Sequence, residues 1–154
     1  MALIFRAMPH YYPLKKLNKV ERLRTTNNLL KLREQLDREV PQKTATDTLL
    51  LATWNIREFG NNRRKESLHY IAEIISRFDL VAVQEVAGNL QGLQDLVSLL
   101  NLNWDYFVTD STDGSAGGNE RMAFIYDKSK KKLEKRAKNE NTSYVLLGDF
   151  IFPM

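Results

Sequence analysis

Three strand-length apolar runs in this chain each lead into a residue bearing an oxygen donor, and that arrangement narrows the folds open to it. Thr48-Leu-Leu-Leu-Ala-Thr-Trp54 runs into Asn55, Leu80-Val-Ala-Val83 into Gln84-Glu85, and Tyr144-Val-Leu-Leu147 into Gly148-Asp149. A continuous apolar run bounded by polar residues reads as a strand buried on both faces of a sheet. An ordinary core strand has no use for a carboxylate or an amide at its end. Groups at strand ends stand on a rigid platform and can converge on one site.

Between these runs the pattern changes period. Residues 63–78 place Leu68, Ile71, Ala72, Ile75 and Phe78 on one face, which predicts an amphipathic helix. A second helix is expected over 90–100, and further strands over Tyr106-Phe-Val108 and Met122-Ala-Phe-Ile-Tyr126. Gly60-Asn-Asn62 and the Gly-, Ser- and Asp-rich stretch 110–119 read as loops. Strands alternating with helices point to an α/β (α+β) domain.

The first 47 residues are different. Leu14, Leu17, Val20 and Leu23 follow Pro13 at helical spacing, Thr25-Thr26 interrupts, and Leu29, Leu30, Leu32 and Leu36 resume. Two short helices, or one kinked helix, are expected to end before Pro41, followed by a polar linker, 42–47. The division is therefore a helical arm and linker, 1–47, and a main domain, 48–154. Lys15, Lys16, Lys19, Arg22 and Arg24 cluster in the arm. A helix packed on its own domain with a solvated basic face accounts for them. A partner-binding or nucleic-acid-binding arm would use the same residues.

Composition limits the chemistry. With no cysteine, disulfides and thiolate metal sites are excluded, and a cytoplasmic setting is expected. No apolar run approaches the ~18 residues of a membrane span, and the short patch Ala2–Phe5 is too brief for the ~7–15-residue core of a secretion signal. A net charge of +4 suits a polyanionic partner. The run 128–138 adds seven Lys and Arg, with Leu133 and Ala137 its only apolar residues. It fits a solvated helix face or linker, or a contact surface for nucleic acid. An amide oxygen and two carboxylates are hard donors, suited to Mg²⁺ or Mn²⁺.

Four segments carry a resemblance. Thr53-Trp-Asn-Ile-Arg-Glu-Phe-Gly60, Phe78-Asp-Leu-Val-Ala-Val-Gln-Glu-Val86, Asn119-Glu-Arg-Met-Ala-Phe-Ile-Tyr126 and Leu147-Gly-Asp-Phe150 resemble, in order, motifs of the endonuclease/exonuclease/phosphatase superfamily. The resemblance implies a four-layer αββα sandwich, here partial, and a Mg²⁺- or Mn²⁺-dependent phosphodiesterase acting on nucleic acid or another phosphodiester. It implies Glu85 as the main metal ligand and Asn55 as a helper at the metal or a phosphate oxygen. It further implies Arg121 as the cation on the phosphate and Asp149 as the group that orients or deprotonates the attacking water.

The pattern also departs from the family. Ile151 stands where the family's Gly-Asp-Phe is followed by Asn. The family's late His has no counterpart: His10 lies in the arm and His69 mid-helix, and both are expected at the surface. The interval from Tyr126 to Tyr144 is too short for the strands the family places there, and 132–141 resembles the end of the helix that precedes the last strand. Two sheets of ~5–6 strands with their helices and connections take roughly 170 residues, more than 48–154 supplies. The expectation is a shortened member with impaired activity and a sheet face left uncovered. A non-catalytic basic nucleic-acid-binding protein, or a gene fragment retaining half of the fold, is the alternative.

Overall fold

The computed structural model describes residues 8–44, 49–60, 63–110 and 121–130. A 3-10 turn, Tyr12–Lys16, leads into α1, Lys19–Glu39; then follow β1, Leu51–Phe59; α2, Lys65–Ile75; β2, Leu80–Val86; α3, Gln91–Leu99; β3, Trp104–Val108; and β4, Arg121–Asp127. The result is a mixed α/β arrangement. The strands form one sheet in the order β1-β2-β4-β3. β1 and β2 are parallel, while β4 runs antiparallel to both β2 and β3.

One face of the sheet is packed. Ala52, Ile56, Val81, Val83, Ala123 and Ile125 join Leu68, Ile71, Ala72 and Ile75 of α2 and Leu93 and Leu96 of α3 in one core. Burying each Val, Leu or Ile among them contributes about 1.5–3 kcal/mol. The predicted apolar face of α2 is buried in full, Phe78 included.

The opposite face differs from the expectation that β1 would be buried on both sides. In β1, Ala52 and Ile56 are buried while Asn55 and Arg57 are exposed. β1 is an edge strand, and both helices contribute to a core on one face only, so side chains of alternate parity meet no second layer among the described residues. Across the sheet, Phe107 stacks on Phe124 at 4.8 Å between ring centroids and remains 53% exposed. The expected strand 144–147, together with Asp149, lies outside the described residues.

The arm contains one unbroken helix rather than two. Asn18 and Glu21 form a reciprocal capping box at its start. The helix continues through Thr25, whose buried Oγ1 donates to the Glu21 carbonyl at 2.7 Å and lies 3.3 Å from Glu66 Oε2, so its polar group is satisfied inside the packing. The buried stripe is Thr25, Leu29 and Leu36, not the Val20–Leu23 side. Ion pairs tie α1 to α2 and to the turn after it: Arg24 to Glu66, Arg33 to Glu73, and Arg77, two residues past α2, to Asp37. Glu73 is almost fully buried, and it also meets Arg77 and accepts from the Tyr11 hydroxyl. Burial, then the bond to Glu73, pushes the Tyr11 phenol above its ordinary pKa.

His69 is buried as well, against the expectation of a surface residue. It shares α2 with the core-facing Leu68 and Ala72, one turn from Glu73, on a helix covered from two sides.

Lys43 closes the far end of the sheet. Its Nζ lies 3.1 Å from Asp79 Oδ1 and 3.0 Å from Asp127 Oδ2, at the start of β2 and the end of β4. It also sits 5.0 Å above the Trp104 ring. Burial alone would raise the Asp127 carboxyl; hydrogen bonds from Ser129 and the Lys43 ammonium hold it below the usual carboxylate range.

Candidate active site at the strand ends

The parallel pairing of β1 and β2 brings their C-terminal ends to one end of the sheet, and the antiparallel β4 begins there. Register places Asn55 beside Gln84, and Val86 beside both Phe59 and Arg121. Both pairings of β2 shift before reaching Val86. The cause is Glu85, whose φ of 56° is left-handed, the one such non-glycine among the described residues. This conformation costs about 1–2 kcal/mol for a residue with a Cβ. Strain of this size at a bulge re-aims a side chain.

The consequence is a contact that a regular ladder would not make. Asn55 Nδ2 donates to Glu85 Oε1 at 2.7 Å. With Nδ2 engaged by Glu85, Oδ1 is the acceptor that remains on the Asn55 amide. β1 also continues to Phe59, so Asn55 stands within the strand rather than at its end. The extension is stabilised by Phe59, which is 1% exposed and whose carbonyl accepts from Ala87 N.

Arg121 opens β4 opposite Val86, next to Glu85 in sequence. Its Nε is buried and has no hydrogen-bond partner among the described residues. The acid that closes the same strand, Asp127, lies at the other end of β4 and pairs with Lys43. Asn55, Glu85 and Arg121 therefore lie at one end of the sheet, where β1 and β2 finish and β4 starts; Asp149 lies outside the described residues.

Two further cations at this end were not singled out from the sequence. Arg57, two residues after Asn55, is exposed. Arg63 donates to the Arg57 carbonyl and lies 5.6 Å from the Phe59 ring centroid. Period-two spacing from Asn55 would have pointed to Arg57. Nothing local would have returned Arg63 to the strand. The α3 N-terminus is held close by a glycine: a Cβ on Gly92 would stand 2.6 Å from the Gly60 carbonyl oxygen.

Among the described residues no three His, Asp or Glu side chains cluster as a metal site. A single carboxylate with a neighbouring amide oxygen still suits Mg²⁺, which keeps most of its waters and needs only one or two protein carboxylates. The small apolar concavity lined by Leu36, Val40, Trp54, Ile74 and Phe78 is a packing gap between α1, β1 and α2.

Residues 52–150 match the model of the Endonuclease/Exonuclease/phosphatase family. Deoxyribonuclease-1 of Rattus norvegicus is 33% identical over 86 residues, which cover 51% of this chain and 30% of that protein. The chain thus spans under a third of the length of the curated relative it matches.

Proposed function

The chain belongs to the endonuclease/exonuclease/phosphatase family, and from that premise we propose that its strand-end site is built for metal-assisted phosphodiester hydrolysis, with nucleic acid as substrate. The observation carrying this reading is the Asn55–Glu85 contact, which depends on a left-handed backbone at Glu85. The carboxylate is a hard oxygen donor, fixed in place by the Asn55 NH2 and a strained backbone, and a hard cation such as Mg²⁺ needs only one or two protein carboxylates.

In this reading Glu85 is the principal ligand for Mg²⁺ or Mn²⁺ and Asn55 a second donor. When bound, the cation would neutralise charge on a non-bridging phosphate oxygen. Arg121 would place its guanidinium against the same phosphate, where charge develops during in-line attack. Arg57 and Arg63 would hold the flanking backbone of a polyanion. Asp149 would orient or deprotonate the attacking water.

Ile151 replaces the amide that the family carries after Gly-Asp-Phe, and an apolar side chain offers no hydrogen bond to phosphate or water. The reading therefore includes weak turnover. A cytoplasmic setting fits a cysteine-free chain using Mg²⁺.

Calorimetric titration of Mn²⁺ into the folded chain tests this. Binding that disappears in Glu85→Ala and weakens in Asn55→Ala is expected, along with slow Mn²⁺-dependent hydrolysis of a bis-aryl phosphodiester. A folded chain that takes up no Mn²⁺ would sink the reading. Metal binding with no hydrolysis would leave a non-catalytic nucleic-acid-binding role.

A further inference from the structure

We infer that the solvent face of the helical arm is a docking surface for an anionic lipid bilayer. More than half of the exposed large hydrophobics among the described residues lie on the arm: Met8, Tyr12, Val20, Leu23 and Leu30. Val20 is 71% exposed, Leu23 62% and Leu30 58%. At 100° per residue these three share one face of α1. Lys19 and Arg22 flank that face on one side and Lys31 on the other, with Arg24 beside Lys31 but paired to Glu66 of α2. All four are exposed.

Among the described residues, α1 packs on the domain through its other side. The opposite stripe, Thr25, Leu29 and Leu36, already packs inward, and Arg24 and Arg33 fasten the helix to α2. The charge is one-sided. From Tyr12 to Lys31 the chain has six cations besides its aliphatics, and its only acid is Glu21, which is engaged in the capping box. Lys15 lies 4.8 Å from the ring centroid of the exposed Tyr12. Glu34, next along the stripe, closes it.

Three anionic or apolar partners could meet such a face. A nucleic-acid backbone would take the cations but leave Val20, Leu23 and Leu30 in water. A second copy of the chain in parallel would set Lys19, Arg22 and Lys31 against their own kind, and an antiparallel copy that set Lys19 opposite Glu34 would still set Arg22 opposite Lys31. A bilayer with acidic headgroups satisfies both features: aliphatics enter the acyl boundary while flanking Lys and Arg meet phosphates. No described helix is long and apolar enough to cross a membrane, so the association is interfacial.

The test is co-sedimentation of the full chain with vesicles of phosphatidylcholine alone and of phosphatidylcholine mixed with phosphatidylglycerol. Binding to the mixed vesicles only is expected, falling with salt. Each of Lys15→Gln, Lys16→Gln and Lys19→Gln should lower the partition coefficient by roughly fivefold. The double variant Val20→Asn/Leu23→Asn should lower it at least tenfold with every cation retained. These side chains are exposed, so far-UV circular dichroism and the urea midpoint should not change, which separates lost docking from lost folding. Equal binding to neutral and acidic vesicles, or none, overturns the inference. So does undiminished binding by the Val20/Leu23 variant. Binding to duplex DNA without binding to vesicles, lost on the lysine substitutions, would assign the face to nucleic acid instead.

Discussion

Asn55 and Glu85 are joined by a 2.7 Å hydrogen bond although the strand register pairs Asn55 with Gln84. In a regular ladder successive side chains point to opposite faces, so the residue after Gln84 would turn away from Asn55. The left-handed φ at Glu85 brings it back. The site geometry therefore rests on one unfavourable backbone conformation, held by the buried Val86 and Phe59 on either side of it.

That strain is measurable by comparing two substitutions. Glu85→Gly and Glu85→Ala both remove the carboxylate, and both lose the bond to Asn55. Only alanine keeps a Cβ at positive φ. Glu85→Gly should be more stable than Glu85→Ala by about 1 kcal/mol in urea unfolding. Equal stabilities would mean that the backbone relaxes once the side chain is gone.

Lys43 holds two buried carboxylates, with side-chain exposures of 0% for Asp79 and 3% for Asp127. Removing the cation leaves both without its charge in a dry environment. Lys43→Met should destabilise the fold by about 3 kcal/mol, read from chemical denaturation. The Asp127 carboxyl is held below its ordinary value, so its contribution is complete above about pH 4 and is lost as pH falls through the lowered native value. In Lys43→Met the acid-unfolding midpoint should move to higher pH.

His69 acts in a different pH window. Burial depresses its pKa, and its Nδ1 has no hydrogen-bond partner among the described residues. The unfolded chain takes up the proton first, near pH 6.5, so stability should fall as pH drops below that value and level off only below the depressed native pKa. His69→Leu should flatten the stability profile between pH 7 and 5 and cost little at pH 8. A profile unchanged by the substitution would show that another group titrates there.

Gly92 sits in the first turn of α3, where alanine would ordinarily gain about 1 kcal/mol of helix propensity. Its missing Cβ makes room for the Gly60 carbonyl oxygen, 2.6 Å from where that atom would be. Backbone cannot yield as a flexible side chain can. Gly92→Ala should lose about 1–3 kcal/mol despite the propensity gain, seen as a lower thermal midpoint. An increase would mean that the loop after β1 moves freely.

Much of the fold is legible locally. The core face of α2, the extents of β2 and β4 to within a residue or so, and α3 follow from apolar periodicity, because packing against one layer selects side chains every 3.6 or 2 residues. The candidate residues Asn55, Glu85 and Arg121 were also named from order and flanking sequence, and the topology brings these three to one end of the sheet. Period alone could not say which face of a strand is covered. The exposed alternate positions of β1 follow from the core lying on one face of the sheet only, and the central strand β4 shows the same alternation.

The sequence by itself determined where helix and strand fall among the described residues, since that depends on neighbours a few positions away, but it set Asn55 and Glu85 at strand ends when both lie inside their strands. The tertiary structure alone decided the backbone turn at Glu85, the burial of His69, the clasp of Lys43 on Asp79 and Asp127, and the Tyr11–Glu73–Arg33 cluster. Apart from the turn at Glu85, each involves elements remote in the chain. Their meeting is set by the path of the chain through the sheet and its helices, which no local pattern records. The turn, although confined to one residue, exists only because strands on both sides of β2 hold Val86 in place.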